Sequence, residues 1–441
     1  MNTILAMILL VIYCMFLGYP IVARLATTHK LENLSYSFLL GLGLGTWFWY
    51  LGYLIGIDFT IPSFILISLV ARLTISVIFG KFIPIPSLKI HDSLTKIDKI
   101  TLAIIVILGL AHLTITTYNP ITAWDSLALY DFRGRTIAIN HDLTDLTSSS
   151  YYLSYPLMVS LMHSLVYQLG AVNPQGFHTL LFIAMIIIIW ARTKTMTNSL
   201  FAALAALLTL TNYELFYHSS YAYTNIPYTV YLVTGILLLL YPNKSNRGSI
   251  SAQLLIGSLL IGLSTWVRSS EPFWVLGIIL LLWTGIKSRS YWSAILGVIF
   301  ILTIRYSWLL YYIQALSQLP GINRVESQLN PITVLNRIIA NYLEITWYII
   351  LNIIYPYLSG WIGAVFVILA TIRKRSTAQL QLALLIFILA GMVFAGIAVF
   401  STYYATWTSI GDSARRMMLF MIPLIIISLS IVSYNTLYEK K

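Results

Sequence analysis

Apolar runs of about twenty residues, repeated along nearly the whole chain, leave few folds open. One helical crossing of a bilayer takes about 20 apolar residues. Runs of that kind fall at 3–23, 36–56, 60–80, 100–118, 176–191, 198–213, 225–241, 250–267, 272–286, 291–315, 353–372, 377–400 and 416–436. Backbone amides in hydrocarbon must bond within their own segment, so such runs become helices. The chain is therefore expected to be an all-α polytopic membrane protein of about thirteen transmembrane helices, roughly eleven to fourteen. Composition agrees, since 9% of residues are charged and mean hydropathy is +0.84, against about 25% charged in soluble domains. Two less uniform stretches, 151–170 with Pro156 and His163 and 331–352 with Arg337 and Glu344, read as helices at the interface. The first run lacks a charged leader and a small-residue cleavage site, so it is expected to remain as an anchor.

The short loops sort by charge. Alternate loops, with the C-terminal tail, hold 17 of the 26 basic residues, among them Lys30, Lys96, Lys99, Arg192 and Lys194, and the others hold seven, including Arg133, Arg135, Arg268, Arg415 and Arg416. Arg72 and Arg305 fall inside spans, where an ionisable group is costly and marks function by default. The excess of Lys and Arg on cytoplasmic loops puts the first set inside, the N-terminus outside, the C-terminus inside and 119–156 on the outer face. The net charge of +12 is thus an orientation signal in short loops and implies no nucleic-acid partner. Ten of the fourteen acids fall on or near the outer side, which a water-facing reaction site would explain. Cys14, the single cysteine, excludes a disulfide framework. The seven histidines form no zinc spacing, and no phosphate-binding glycine loop is present.

The longest polar interruption, Pro120–Pro156, holds Asp125, Asp131, Asp142 and Asp145, with Arg133 and Arg135 between them and Trp124, Tyr130 and Tyr155 around them. Later loops on the same side add Glu214, Arg268 with Glu271, and Asp412 with Arg415 and Arg416. A carboxylate at a membrane boundary can take a proton from a hydroxyl or hold a divalent cation. Arginines beside it can grip a phosphate through paired hydrogen bonds. Each residue also has a plainer use. Asp125 could cap a loop helix, Asp131 and Arg135 could form a surface pair at helical spacing, Glu271 could meet a helix dipole, and Arg415 and Arg416 could anchor a helix end.

Four segments occur in an order that resembles the C-type (GT-C) glycosyltransferases, especially protein O-mannosyltransferases and bacterial lipid A aminoarabinose transferases. They are WDSLALYDFRGR, SSYAYTNIPYTVYLVTG, STWVRSSEPFW and GDSARRMMLFMIPL, spread between about residue 100 and 436. The resemblance implies a catalytic core at 100–441, including the outer loop 119–156, with helices of 1–99 as an accessory feature. It implies transfer of a sugar from a polyprenyl-phosphate donor to a lipid, glycan or protein acceptor on the outer face of the bilayer, with inversion. Asp125 would be the essential acid, either a general base or, with Glu214, a ligand of a divalent metal (Mg, Mn or Zn). Arg268, Arg415 and Arg416 would hold the donor phosphate, and Trp124, Tyr130, Tyr155 and Glu271 would touch sugar or acceptor. The chain departs from the pattern at Asn225, where the family often has an aspartate before the Ile226–Pro227 step. A lipid-linked glycan transporter or flippase and a polysaccharide ligase or polymerase remain as alternatives. A transporter would show repeated halves, and no such repeat is found.

Overall fold

The computed structural model describes residues 3–23, 25, 29–78, 94–241, 247–269, 273–317, 335–336, 339–355, 361–363, 365–366, 369, 416 and 419–438, and these are helical with no strand among them. Helices α1 (Thr3–Val22), α2 (Lys30–Leu54), α3 (Ile61–Ile78) and α4 (Lys96–Tyr118) precede the polar stretch. There a π-helical turn (Ser126–Asp131) runs into α5 (Phe132–Asn140), then a 3-10 turn (Thr144–Ser148), α6 (Ser150–Leu153) and α7 (Met158–Gln168). The bundle resumes with α8 (Gly176–Met196), α9 (Ser199–Leu210), α10 (Tyr213–His218), α11 (Asn225–Leu240), α12 (Arg247–Val267), α13 (Phe273–Lys287) and α14 (Tyr291–Ser317). Helices α15 (Tyr342–Ile349) and α16 (Met421–Tyr438) follow.

Eleven of the thirteen expected spans coincide with these helices; 353–372 is described only in pieces and 377–400 lies outside the described residues. Six described helices are long and apolar enough to cross a bilayer, and several of the others are shorter. Burial explains α11, one of the short ones: fifteen of its sixteen residues are enclosed by protein, so bilayer thickness does not set its length. Local chemistry sets several helix starts. Thr95 and Asp98 form a reciprocal capping box at α4, and Asn198 and Asn212 cap α9 and α10.

Helix α2 runs through the middle of the bundle. Leu39 O accepts from Tyr231 Oη at 2.6 Å, Thr46 Oγ1 from Trp266 Nε1 at 3.3 Å, and Trp47 Nε1 donates to Ser307 Oγ at 3.0 Å. These bonds tie it to α11, α12 and α14.

The polar stretch is folded down onto one end of the bundle. His141 closes α5 in the left-handed region (φ 64°), and its carbonyl accepts from Phe59 N at 2.7 Å in the α2–α3 turn. Within segment 151–170, α7 is enclosed by protein, because every residue from Met158 to Val166 is buried. Gly134 permits this: a Cβ there would lie 2.6 Å from His163 Cβ, so only a glycine lets α5 lie so close to α7.

Candidate active site at the loop end of the bundle

Asp125 stands at the start of the π-helical turn but does not cap it. Its Oδ2 instead accepts from Arg416 at 2.9 Å, a residue 291 positions away in sequence. The Asp125 side chain is 43% exposed and that of Arg416 16%, so the pair is open on the carboxylate side. The guanidinium of Arg416 lies 5.0 Å from the ring centre of Tyr223, and its carbonyl accepts from Asn225 Nδ2 at 3.3 Å. Asn225 is the position where the resemblance expects an aspartate. A carboxylate could not donate this bond, so the amide fits the partner found here.

The turn that carries Tyr223 and Asn225 also gathers a second arginine. Thr224 Oγ1 accepts from Arg268 at 3.2 Å and shares a hydrogen bond of 3.1 Å with Tyr130 Oη. Arg268 lies 5.1 Å over the Tyr155 ring, and Tyr130 and Tyr155 meet edge to face at 5.8 Å. Burial pushes the phenol of Tyr130 well above its ordinary pKa, so it is neutral. One three-residue turn thus joins Asp125, Arg416, Arg268, Tyr130 and Tyr155. Trp124, next to Asp125, is 76% exposed and free to meet a ligand from solvent.

Behind the turn sits Arg133, buried among carbonyls. It donates to Tyr152 O (3.0 Å), Tyr155 O (2.7 Å), Pro156 O (3.3 Å) and Ser160 Oγ (3.0 Å). Burial lowers its pKa to about 10, which leaves it charged at neutral pH. The fork fixes the chain at Tyr155 and so sets that ring against Arg268. Asp131 and Arg135 do pair, at 2.8 Å, but not as the surface contact their spacing suggests. Asp131 is buried, accepts from Tyr167 Oη and lies 3.5 Å from His163 Nδ1. Burial works against its charge, yet His163, Tyr167 and Arg135 outweigh it and hold the carboxyl below its ordinary range.

Glu214 lies in the first turn of α10 at the same end of the bundle and faces His218 Nε2 at 3.6 Å. The two acids that the resemblance would place on one metal therefore take different partners, Arg416 and His218. Among the described residues no three His, Cys, Asp or Glu side chains gather as a ligand set. Glu271, Asp412 and Arg415 lie outside the described residues. The intramembrane arginines are held locally: Arg72 donates to Phe16 O, and Arg305 donates to Ser269 O at 2.6 Å with Trp274 beneath it.

Sequence reasoning missed Tyr223, Thr224 and Arg133 as parts of this site. The SYAYTNIP step was the one available signal for the first two; nothing in the sequence marked Arg133 as buried.

No family model matches the sequence, and no curated protein matches it. Among solved structures, ArnT from Cupriavidus metallidurans in the apo state superposes with a TM-score of 0.50 at 13% identity, over 75% of this chain and 59% of that one. The same protein bound to undecaprenyl phosphate gives a TM-score of 0.48 at 13% identity, over 78% and 60%. This chain therefore spans about 60% of the length of those structures. The chain thus has a fold similar to that of apo ArnT, all-helical among the described residues, with several helices long and apolar enough to cross a bilayer. At that identity the likeness is one of fold.

Proposed function

We propose that this chain is an integral-membrane glycosyltransferase. It moves a sugar from a polyprenyl-phosphate-linked donor to a hydroxyl acceptor at the outer face of the cell membrane, inverting the anomeric carbon, with its C-terminus cytoplasmic. The observation that carries the reading is the half-open Asp125–Arg416 pair set beside Arg268 on the Tyr223–Asn225 turn. A carboxylate open to water beside two guanidiniums, at the mouth of a helical bundle, suits proton removal next to a phosphate.

In this mechanism the donor phosphate competes with Asp125 for Arg416 and also meets Arg268. Engaging the arginine frees the carboxylate, which takes the proton of the acceptor hydroxyl. The acceptor oxygen then forms its bond to the anomeric carbon as the bond from that carbon to the phosphate oxygen breaks. Charge grows on the leaving phosphate, and the preorganised guanidiniums stabilise it where it grows. Tyr155, held by Arg133 and stacked on Arg268, keeps that arginine aimed. Trp124 borders the space for sugar and acceptor, while Tyr130, expected there too, is buried and backs the Thr224 hydroxyl instead. The basic residues at the opposite end of the bundle support the orientation, through the inside excess of Lys and Arg.

The donor class follows the resemblance of the four sequence segments and the paired arginines. ArnT, whose fold this chain shares, is the protein solved with undecaprenyl phosphate, and lipids of that class are the donors to test first. The test is turnover by the full chain in nanodiscs with a panel of polyprenyl-phosphate sugars, wild type beside Asp125→Asn. Activity lost in a folded Asp125→Asn protein establishes the reading. Unchanged turnover moves the base elsewhere, and no turnover with any donor returns the transporter and ligase alternatives to the front.

A further inference from the structure

The fold encloses two histidines that the mechanism above leaves unused. His163 of α7 and His178 of α8 are fully buried, and their Nε2 atoms lie 3.2 Å apart. The far side of each ring meets an acceptor. His163 Nδ1 lies 3.5 Å from Asp131 Oδ1, and the His178 ring faces the backbone carbonyl of Tyr223. Among the described residues neither Nδ1 has a closer partner. Asp131 is itself fixed by Tyr167 Oη and Arg135 Nε. A polar line thus runs from Asp131, through two rings, to the turn that gathers Arg416 and Arg268.

Counting protons shows what this line must carry. The Asp131 carboxylate and the Tyr223 carbonyl can only accept, and one ring must donate to the other. Three contacts therefore need three N–H groups, and two neutral imidazoles bring two. When His163 turns its N–H to Asp131, its bare Nε2 takes the N–H of His178. A bare His178 Nδ1 is then left against the Tyr223 carbonyl, lone pair to lone pair. One added proton, on either ring, supplies the third N–H and completes the line. Leaving a buried polar group unmatched is costly, and the charge of Asp131 favours the added proton. The charges around the pair leave it that role. Arg133, which opposes the proton, is directed onto the carbonyls of Tyr152, Tyr155 and Pro156 and onto Ser160 Oγ. Arg135 sits beyond Asp131 with its side chain 55% exposed. From α4, His112 is bonded to Ser219 Oγ and reaches α8 only through the Ser219 carbonyl and Thr179.

We propose that His163 and His178 share one proton as a counter-ion of Asp131, and that this proton ties the Tyr223–Asn225 turn to Asp131. Both histidines are positioning residues: they act on Arg416 and Arg268 through the turn. Their effect on turnover rests on the transferase reading; the shared proton does not.

The test is solid-state 15N NMR of the full chain, labelled at histidine, in nanodiscs across the histidine range of about pH 5 to 8. At the acid end both rings of the pair should carry a proton on Nδ1, and a bare Nδ1 should appear as pH rises. His163→Gln and His178→Gln assign the signals; if these variants do not fold, correlation across the ring-to-ring bond assigns them in the wild type. Donor kcat/KM should fall about tenfold over the same pH step, the worth of one hydrogen bond, and the step should vanish in both variants. A bare Nδ1 in the pair at every pH where the protein is folded overturns the proposal, as does a pH step that persists in the folded variants. A wild type inactive on every donor sinks the transferase reading, and the spectra alone then decide the proton.

Discussion

The two ends of the bundle handle charge in opposite ways. At the end away from the polar stretch, Glu32 and Arg192 pair with side chains only 1% and 6% exposed. Arg192 reaches on to Gln253 Oε1 and Tyr241 O, each at 3.4 Å. Beside it Lys194 meets Asp98 at 2.7 Å, and Asp98 also accepts from Thr95 and Ser199. These ions are enclosed and shared among several partners. At the loop end Asp125 is 43% exposed, and Arg268 rests on the Tyr155 ring and on the hydroxyl of Thr224, whose neighbours Tyr223 and Asn225 meet Arg416. The first arrangement locks helices together; the second keeps charged groups where a ligand can replace their present partners. An ion pair alone does not mark function. The proposed function rests on the openness of the Asp125–Arg416 pair.

That contrast can be broken or sharpened by substitution. The largest effect is expected from Asp125→Asn, which should reduce turnover by about 10²–10⁴-fold, the usual share of a general base, while thermal unfolding in detergent barely moves. Breaking the closed end should do the reverse. Glu32→Gln leaves Arg192 enclosed without its counter-ion and should cost about 3–5 kcal/mol of stability, measured by denaturant unfolding, with turnover per folded molecule near wild type. If Glu32→Gln instead silenced a stable protein, the division of labour between the ends would be wrong. Next comes Arg268→Lys, which keeps the charge but loses the fork; donor kcat/KM should fall by about tenfold or more. Thr224→Val removes the hydroxyl shared by Tyr130 and Arg268 and should cost about 1–3 kcal/mol, seen as a lower Tm.

The smallest effect is one of pH. The Asp131 carboxyl titrates lower in the fold than its ordinary 3.8. A group whose pKa falls on folding contributes stability that is complete above its unfolded value and drains away as pH falls through the native one. Tm should therefore be flat in this respect above about pH 4 and drop below it, and Asp131→Asn should lessen the drop in a scan from pH 5 to pH 3.

Much of the architecture was legible from hydropathy, because backbone amides in a bilayer have no partner but their own helix. Eleven of the expected spans and the gathering of Asp125, Glu214, Arg268 and Arg416 at one end could be read in order along the chain. Asp131 and Arg135 were read as a pair and are one. Their burial was not legible, since helical spacing says who can touch but not what covers them.

What the amino-acid sequence alone determined is thus which of the described segments are long helices and which residue types could act on a phosphate. Those properties follow from local terms: apolar length and side-chain chemistry. Only the tertiary structure decided that Asp125 meets Arg416 rather than capping its own turn, that Glu214 faces His218, and that Asn225, Thr224 and Tyr223 bind the two arginines together. Partners 291 residues apart in the chain are brought together by packing, and Gly134 and the carbonyl fork on Arg133 act through contacts that no sequence period records.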